Sequence, residues 1–378
     1  MTHRTRRPVS RRAVGYVVAA AGILLVAGLA FAGLGQDQVS SGQISPSGYG
    51  SSPGDHSPSG PPSSHQPPGG PGTISSPHPE PPGTVAPGQG PAARMIPSSG
   101  AYLGAYIQPA VYNPAGEIAA VQSFQRAIGA PVTLVHTYHP WNSPFPDNAD
   151  RYFVRTGKVL LLTWGGAPDT RKIIAGQYDA EIKARALAIK RLGRPILLEF
   201  RHEMDRPNLQ GIIHGPKSYI AAWDHIRAVF THVGALNVGW VWCPTGWGFK
   251  DGRAQPFYPG NNEVDWVCAD IYSPSPSLTL QEAANPFLTW ARQTHKPVLI
   301  GEFGVSGRPW AWPRWLLAAG ELARVNTQIR GMAYFDANGT DSQGRPFHYW
   351  LGSNGPALHA FGQMLGWQIF RPAFAPSQ

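Results

Sequence analysis

Two short stretches carry residues that together could break a bond. Arg201-His202-Glu203-Met204 and Gly301-Glu302-Phe303-Gly304 each put a glutamate at or just past the end of an apolar run. A lone glutamate there usually marks a salt bridge. Two facing one cleft can divide the work of cleaving an acetal. One carboxyl protonates the departing oxygen, and the other attacks the carbon or activates water. A gap of about 5–5.5 Å would imply retention of configuration, and roughly 6.5–9.5 Å inversion. Each charge also raises the other's proton affinity, so one carboxyl can keep its proton near neutral pH. Nearby aromatics, Trp164, Trp240, Trp242, Trp247 and Tyr272, offer flat faces for sugar rings. Core packing is the competing role for each tryptophan.

For Glu203 and Glu302 to meet, the fold must bring two distant strand ends to one rim. The apolar patterning predicts strands near 102–107, 132–137, 158–164, 195–201, 237–242, 264–270, 297–302 and 330–335. Runs such as Val159-Leu160-Leu161-Leu162 suit parallel strands buried on both faces. Helical patterns fall between them at 117–128, 179–192, 217–232, 280–294 and 312–325, with Pro216 suited to a helix start. This alternation predicts an α/β protein, a single (β/α)8 barrel over residues 98–378, whose active site lies at the C-terminal strand ends. Strands four and seven end in Glu203 and Glu302, roughly across the mouth. An open doubly wound sheet would usually carry a Gly-rich loop after its first strand, and Leu103-Gly104-Ala105-Tyr106-Ile107-Gln108-Pro109 has none.

The chain carries a net charge of +9, with five arginines among its first twelve residues. The basicity sits largely at the tip and does not point to nucleic acid, for which no Lys/Arg stripe or zinc-finger spacing is present. The thirteen histidines include no His-x-x-x-His pair, so no metal or other cofactor is expected. His136 and His139 could touch sugar or simply pack at the rim. Cys243 and Cys268 could form one bridge outside the cytoplasm or stay as two buried thiols.

Residues 1–35 have the layout of a targeting segment, a basic tip followed by an uncharged apolar stretch from about Ala13 to Gly35. The stretch suits either a cleaved signal peptide or a membrane anchor. Residues 36–97 are rich in Pro, Ser and Gly, with Tyr49 the one aromatic, and are expected to form a disordered linker. The barrel is therefore expected outside the cytoplasm, secreted or held at the cell surface, as a monomer.

The ordered motifs of the barrel resemble glycoside hydrolase family 26, which contains endo-β-mannanases and mixed-linkage β-glucanases. The resemblance runs over most of 102–360. It rests on Arg201-His202-Glu203-Met204, Asn237-Val238-Gly239-Trp240-Val241-Trp242, Tyr258-Pro259-Gly260, Val264-Asp265-Trp266-Val267 with Asp270 and Tyr272, and Lys296 through Gly304. Phe335-Asp336-Ala337-Asn338 and Tyr349-Trp350 also fit. The resemblance implies a retaining endo-β-glycanase with Glu203 as acid/base and Glu302 as nucleophile, and with His202 and Tyr272 holding the nucleophile. Its substrate would be a β-linked polysaccharide, β-1,4-mannan first and β-1,3-1,4-glucan as the alternative, bound also by Trp164, Trp242 and Trp247. A barrel that only binds carbohydrate is the competing class. The pattern departs in two places. Glu199 stands where the family usually has arginine, and Asp205-Arg206-Pro207 replaces the usual Asn-Gly and tryptophan-rich loop.

Overall fold

The computed structural model describes residues 95–166, 168–341 and 345–374. The expected signal or anchor (1–35) and nearly all of the expected linker (36–97) lie outside them. Among the described residues no helix is long and apolar enough to cross a membrane.

Eight parallel strands close into a barrel: β1 (Tyr102–Ile107), β2 (Leu134–Pro140), β3 (Val159–Gly165), β4 (Ile196–Phe200), β5 (Val238–Trp242), β6 (Trp266–Ser273), β7 (Val298–Val305) and β8 (Ile329–Asp336). β8 returns to β1 in register from Tyr102↔Gly331 to Ile107↔Asp336. The expected (β/α)8 architecture is thus present, with β6 and β7 three residues longer at their C-terminal ends than the patterning indicates.

The helices around it are α1 (Pro114–Ile128), α2 (Asn148–Arg155), α3 (Thr170–Ile174), α4 (Asp179–Leu192), α5 (Gln210–Ile213), α6 (Pro216–His232), α7 (Gly246–Lys250), α8 (Leu280–Ala291), α9 (Trp312–Val325) and α10 (Gly355–Leu365). Their ends follow local chemistry. Asn113 accepts from the Gly116 amide at the start of α1, and Gly129 closes that helix in the left-handed region. Thr279 and Glu282 form a capping box at α8. A small hairpin, β9 (Asn338–Thr340) with β10 (Pro346–His348), follows β8.

Strand side chains alternate between the barrel lumen and the helical layer. Tyr102, Leu134, Leu161, Leu197, Val241, Trp266, Leu299 and Ala333 form the lower plug of the lumen, with Met95 packed against it. The residues between them, such as Leu103, Leu160, Leu162 and Leu198, pack against the helices in the larger outer core. Gly104 is required where β1 meets β2, because a Cβ there would lie 1.8 Å from the Leu134 carbonyl oxygen. Two residues up each strand the lumen turns polar, and this second layer carries the site.

Candidate active site

Strict alternation along β7 would point Glu302 away from the lumen, since Leu299 faces in. The register corrects this. Ala269 pairs with Ile300 and Asp270 with Glu302, so Gly301 is an extra residue on β7. The pairing with β8 shifts between Ile300 and Phe303 as well. This bulge turns Glu302 into the lumen and returns Phe303 to the outer core. Glycine is needed at its centre. A Cβ on Gly301 would lie 2.5 Å from Cys268 Sγ, 2.8 Å from Asp270 Oδ1 and 2.9 Å from Cys243 Sγ.

Both oxygens of Glu302 accept hydrogen bonds from phenols. Tyr138 Oη donates to Oε1 at 2.5 Å, and Tyr272 Oη donates to Oε2. Tyr272 stacks on Tyr349 with centroids 4.6 Å apart, and Tyr138 stacks on His136 at 4.3 Å. His136 bridges Thr163 Oγ1 at 2.7 Å and the Gly301 carbonyl oxygen at 3.2 Å, tying β2 and β3 to the bulge. Tyr138 is a site residue that the sequence reading missed. Its signal was period-two spacing from Leu134 and His136, which puts all three in the lumen.

Glu203 lies past β4 in a tight loop. Arg201 and Glu203 take positive φ values of 50° and 53°, a conformation non-glycine residues adopt at a cost. The Glu203 amide donates to the Cys243 carbonyl oxygen at 2.7 Å. Arg206 folds back so that Nη1 lies 2.7 Å from Glu203 Oε2. Asp205 anchors the loop to the end of β5, accepting from the Thr245 amide at 2.9 Å and its hydroxyl at 2.6 Å.

Burial pushes both carboxyls up. Glu203 reaches about 7, with Arg206 pulling down against the charges of Asp205 and Glu199. Glu302 is raised well above the usual carboxylate range by burial and then by the charge of Glu203, while Tyr138 and Tyr272 oppose the rise. Two such charges in one buried site do not coexist easily. Donors on both Glu302 oxygens favour its ionised form, which places the shared proton on Glu203.

His202 does not bond Glu302 as the resemblance implied. Its ring lies edge-on to Tyr138 at 5.8 Å, Nδ1 is buried without a hydrogen-bond partner, and burial lowers its pKa to about 4, so it is neutral. Tyr138 takes the place assigned to it. Trp164 and Trp242 are also corrected: both are 0 % exposed and point into the helical layer. Trp164 stacks on Trp141 at 4.1 Å, and Trp242 packs among Phe249, Tyr258 and Trp290. Each is one residue out of phase with the lumen positions Thr163 and Val241. Trp247 is partly exposed on α7 at the rim, with the Lys250 ammonium 5.4 Å over its ring.

Beneath the glutamates lies a second buried acidic layer. Cys243 and Cys268 are joined as a disulfide inside the lumen. Asp270 Oδ1 lies 3.3 Å from Cys243 Sγ, which as a disulfide sulfur has no proton to give, and Oδ2 has no partner. Burial, then the charges of Glu302 and Glu199, raise the Asp270 pKa well above its usual value. Glu199 accepts from Thr163 Oγ1. These two acids and the two sulfurs cluster within 4.8 Å, but bridged sulfurs are not thiolate ligands. His139 points outward to Asp150 at 2.8 Å, so neither His136 nor His139 is left open to sugar as a free rim residue.

No protein-family model matches the chain. Endoglucanase H of Acetivibrio thermocellus is 26% identical over 291 residues, 71% of this chain and 31% of that protein. A Vibrio enzyme, β-1,3-xylanase TXYA, is 27% identical over 140 residues, 35% of this chain and 28% of its own length. The chain thus spans about a third of the length of these curated relatives. The catalytic domain of a Bacillus sp. JAMB-750 GH26 endo-β-1,4-mannanase superposes with a TM-score of 0.56 at 14% identity, over 75% of this chain and 90% of that one. The resemblance to glycoside hydrolase family 26 carried by the motifs is thus matched in the fold: the chain shares the (β/α)8 barrel of that mannanase domain and is similar in sequence to Endoglucanase H.

Proposed function

We propose that the chain is an exported, retaining endo-β-glycanase that hydrolyses a β-linked polysaccharide, with β-1,4-mannan as its first candidate substrate. The observation that carries this reading is Glu302 held at both oxygens by Tyr138 and Tyr272, in a buried site where the charge of Glu203 acts on it. Fixed donors hold a carboxylate in one rotamer and favour its charge, as a nucleophile requires.

In the first step Glu302 attacks the anomeric carbon and forms a glycosyl ester. The glycosidic bond breaks, and Glu203 passes its proton to the leaving oxygen. In the second step Glu203, now a carboxylate, takes a proton from water as the water attacks the same carbon. The ester bond breaks and its electron pair returns to Glu302. The similarity to an endoglucanase and a β-1,3-xylanase keeps glucan and xylan in view as alternatives. The basic tip and apolar stretch of residues 1–35, followed by the Pro/Ser/Gly-rich segment 36–97, support export with the barrel outside the cytoplasm as a monomer, secreted or tethered.

The test is reducing-sugar release from glucomannan, galactomannan, barley β-glucan, lichenan, β-1,4-xylan and β-1,3-xylan. Release from one or two of these, absent in Glu302→Ala, is the expected result, with the β-anomer appearing first by NMR. Undiminished release by Glu302→Ala overturns the assignment. Silence of the folded protein on the whole panel would favour a barrel that only binds carbohydrate.

A further inference from the structure

We propose that Arg206 is a positioning residue that sets the proton affinity of Glu203 between the opposed needs of the two chemical steps. The inference rests on the double-displacement reading above. Its basis is geometric. The guanidinium Nη1 lies 2.7 Å from Glu203 Oε2, and both residues are buried, at 6 % and 2 % exposure.

The loop is built to put it there. Arg206 is three residues past Glu203 and its amide donates back to the Glu203 carbonyl oxygen at 3.1 Å. Gln210 Nε2 holds the Arg206 carbonyl oxygen at 3.0 Å and the Met204 carbonyl oxygen at 2.9 Å. Asp205 is clamped by Thr245 and seated against Gly248, where a Cβ would fall 1.8 Å from its Oδ2 and displace it.

A buried ion pair is weak evidence for stability alone, because desolvation offsets its Coulomb gain. This one sits on the group that must both give and take a proton. Besides Arg206, the groups that act on Glu203 are Glu199 from β4, Asp205 from its own loop, Asp270 from β6, Glu302 from β7 and Tyr349 after β10. All are acids or neutral phenols, and His202 beside it is neutral. In that company, without the cation, Glu203 would hold its proton more tightly. It would serve as an acid in the first step, and in the second, with Glu302 esterified and its charge gone, Asp205 and Glu199 would still oppose its ionisation as a base. A cation at 2.7 Å pulls it back toward neutrality, where both forms are reached.

The experiment uses the full chain with Arg206→Met and Arg206→Lys. For the polysaccharide, the alkaline limb of kcat/KM reports the proton on Glu203. In Arg206→Met it should move up by about one pH unit or more. With 2,4-dinitrophenyl β-mannobioside, whose leaving group needs no protonation, the same variant should show a burst of phenolate and accumulate glycosyl-enzyme, seen by mass spectrometry, at neutral pH. Arg206→Lys keeps the charge without the fork and should restore most of the profile. An unmoved alkaline limb, with activity reduced equally at every pH, overturns the proposal and makes Arg206 structural. If Arg206→Met fails to fold, Arg206→Gln, which also removes the charge, decides: its alkaline limb should move up in the same way, and an unmoved limb overturns the proposal. Undiminished turnover in Glu302→Ala would instead overturn the double-displacement reading itself.

Discussion

The backbone amide of Glu203 donates to the carbonyl oxygen of Cys243, and Cys243 is covalently joined to Cys268. The bridge links the end of β5 to β6 within the lumen, and its two sulfurs bear on Gly301, the residue before Glu302. One cross-link therefore underlies both glutamates.

Protein recovered after export to an oxidising compartment, then denatured without reductant, should titrate with no free thiol, and a count of two would refute the bridge. Its removal in a Cys243→Ala/Cys268→Ala double variant should cost about 3–4 kcal/mol, the loop-closure entropy of a segment of this length. The check is a lower urea midpoint, with a steeper slope as the unlinked denatured chain exposes more surface.

Tyr138→Phe and Tyr272→Phe each delete one donor to Glu302. A hydrogen bond to a charged group is worth about 1.5–3 kcal/mol, so each should lower kcat/KM about ten- to a hundredfold. Losing a donor to the charged form raises the Glu302 pKa. Glu302 must be ionised to attack, so the acidic limb of the pH profile should move to higher pH. A limb that stays in place argues against phenol support of the nucleophile.

Asp270 has a folded pKa raised by burial and by the charges of Glu302 and Glu199, from a starting value of 3.8. Below pH 3.8 the acid is neutral in both states. As pH rises only the unfolded chain ionises freely, so Asp270 costs more stability the higher the pH. Asp270→Asn should raise the melting temperature, with a gain that grows from pH 4 to pH 7. A gain that is flat or shrinks with pH would contradict a neutral Asp270.

The buried pair of His139 and Asp150 behaves differently. Burial alone would lower the His139 pKa, but Asp150 outweighs it and the net shift is upward from 6.5. Burial would raise Asp150, but His139 and the surrounding donors bring it below 3.8. The His139 contribution is full below pH 6.5 and lost as pH rises through its raised value. The Asp150 contribution is present above pH 3.8 and lost as pH falls through its lowered value. The stability gap between the native protein and Asp150→Asn should therefore be widest between pH 3.8 and 6.5 and narrow on either side, as thermal melts would record.

Much of this was legible in the sequence because strands buried on both faces announce themselves as apolar runs. Val159 to Leu162 and Ile196 to Leu198 mark their strands plainly, and the two glutamates follow from strand ends. Which way a side chain faces was harder. Trp164 and Trp242 sit at the right height but one residue out of phase, and parity cannot be read without the register. Glu302 is the converse case: alternation alone turns it outward, and the extra residue at Gly301 turns it in. Tyr138 belongs to no motif, and its role emerges only when β2 and β7 face each other across the lumen. The short helices α2, α3, α5 and α7 and the longer α10 escaped the patterning, as did the β9–β10 hairpin, whose three-residue strands are too brief for a periodic signal.

The disulfide has no solvent-exposed surface, for both sulfurs are sealed in the lumen. Reductant added to the folded protein, or oxidant added to a reduced barrel, reaches the sulfurs only when the barrel opens. The covalent state of this molecule is thus a record of where it folded. Material produced in a reducing cytoplasm and material produced by export should differ by one bond for as long as the barrel stays closed, and an assay of either will report its manufacturing history as well as its chemistry.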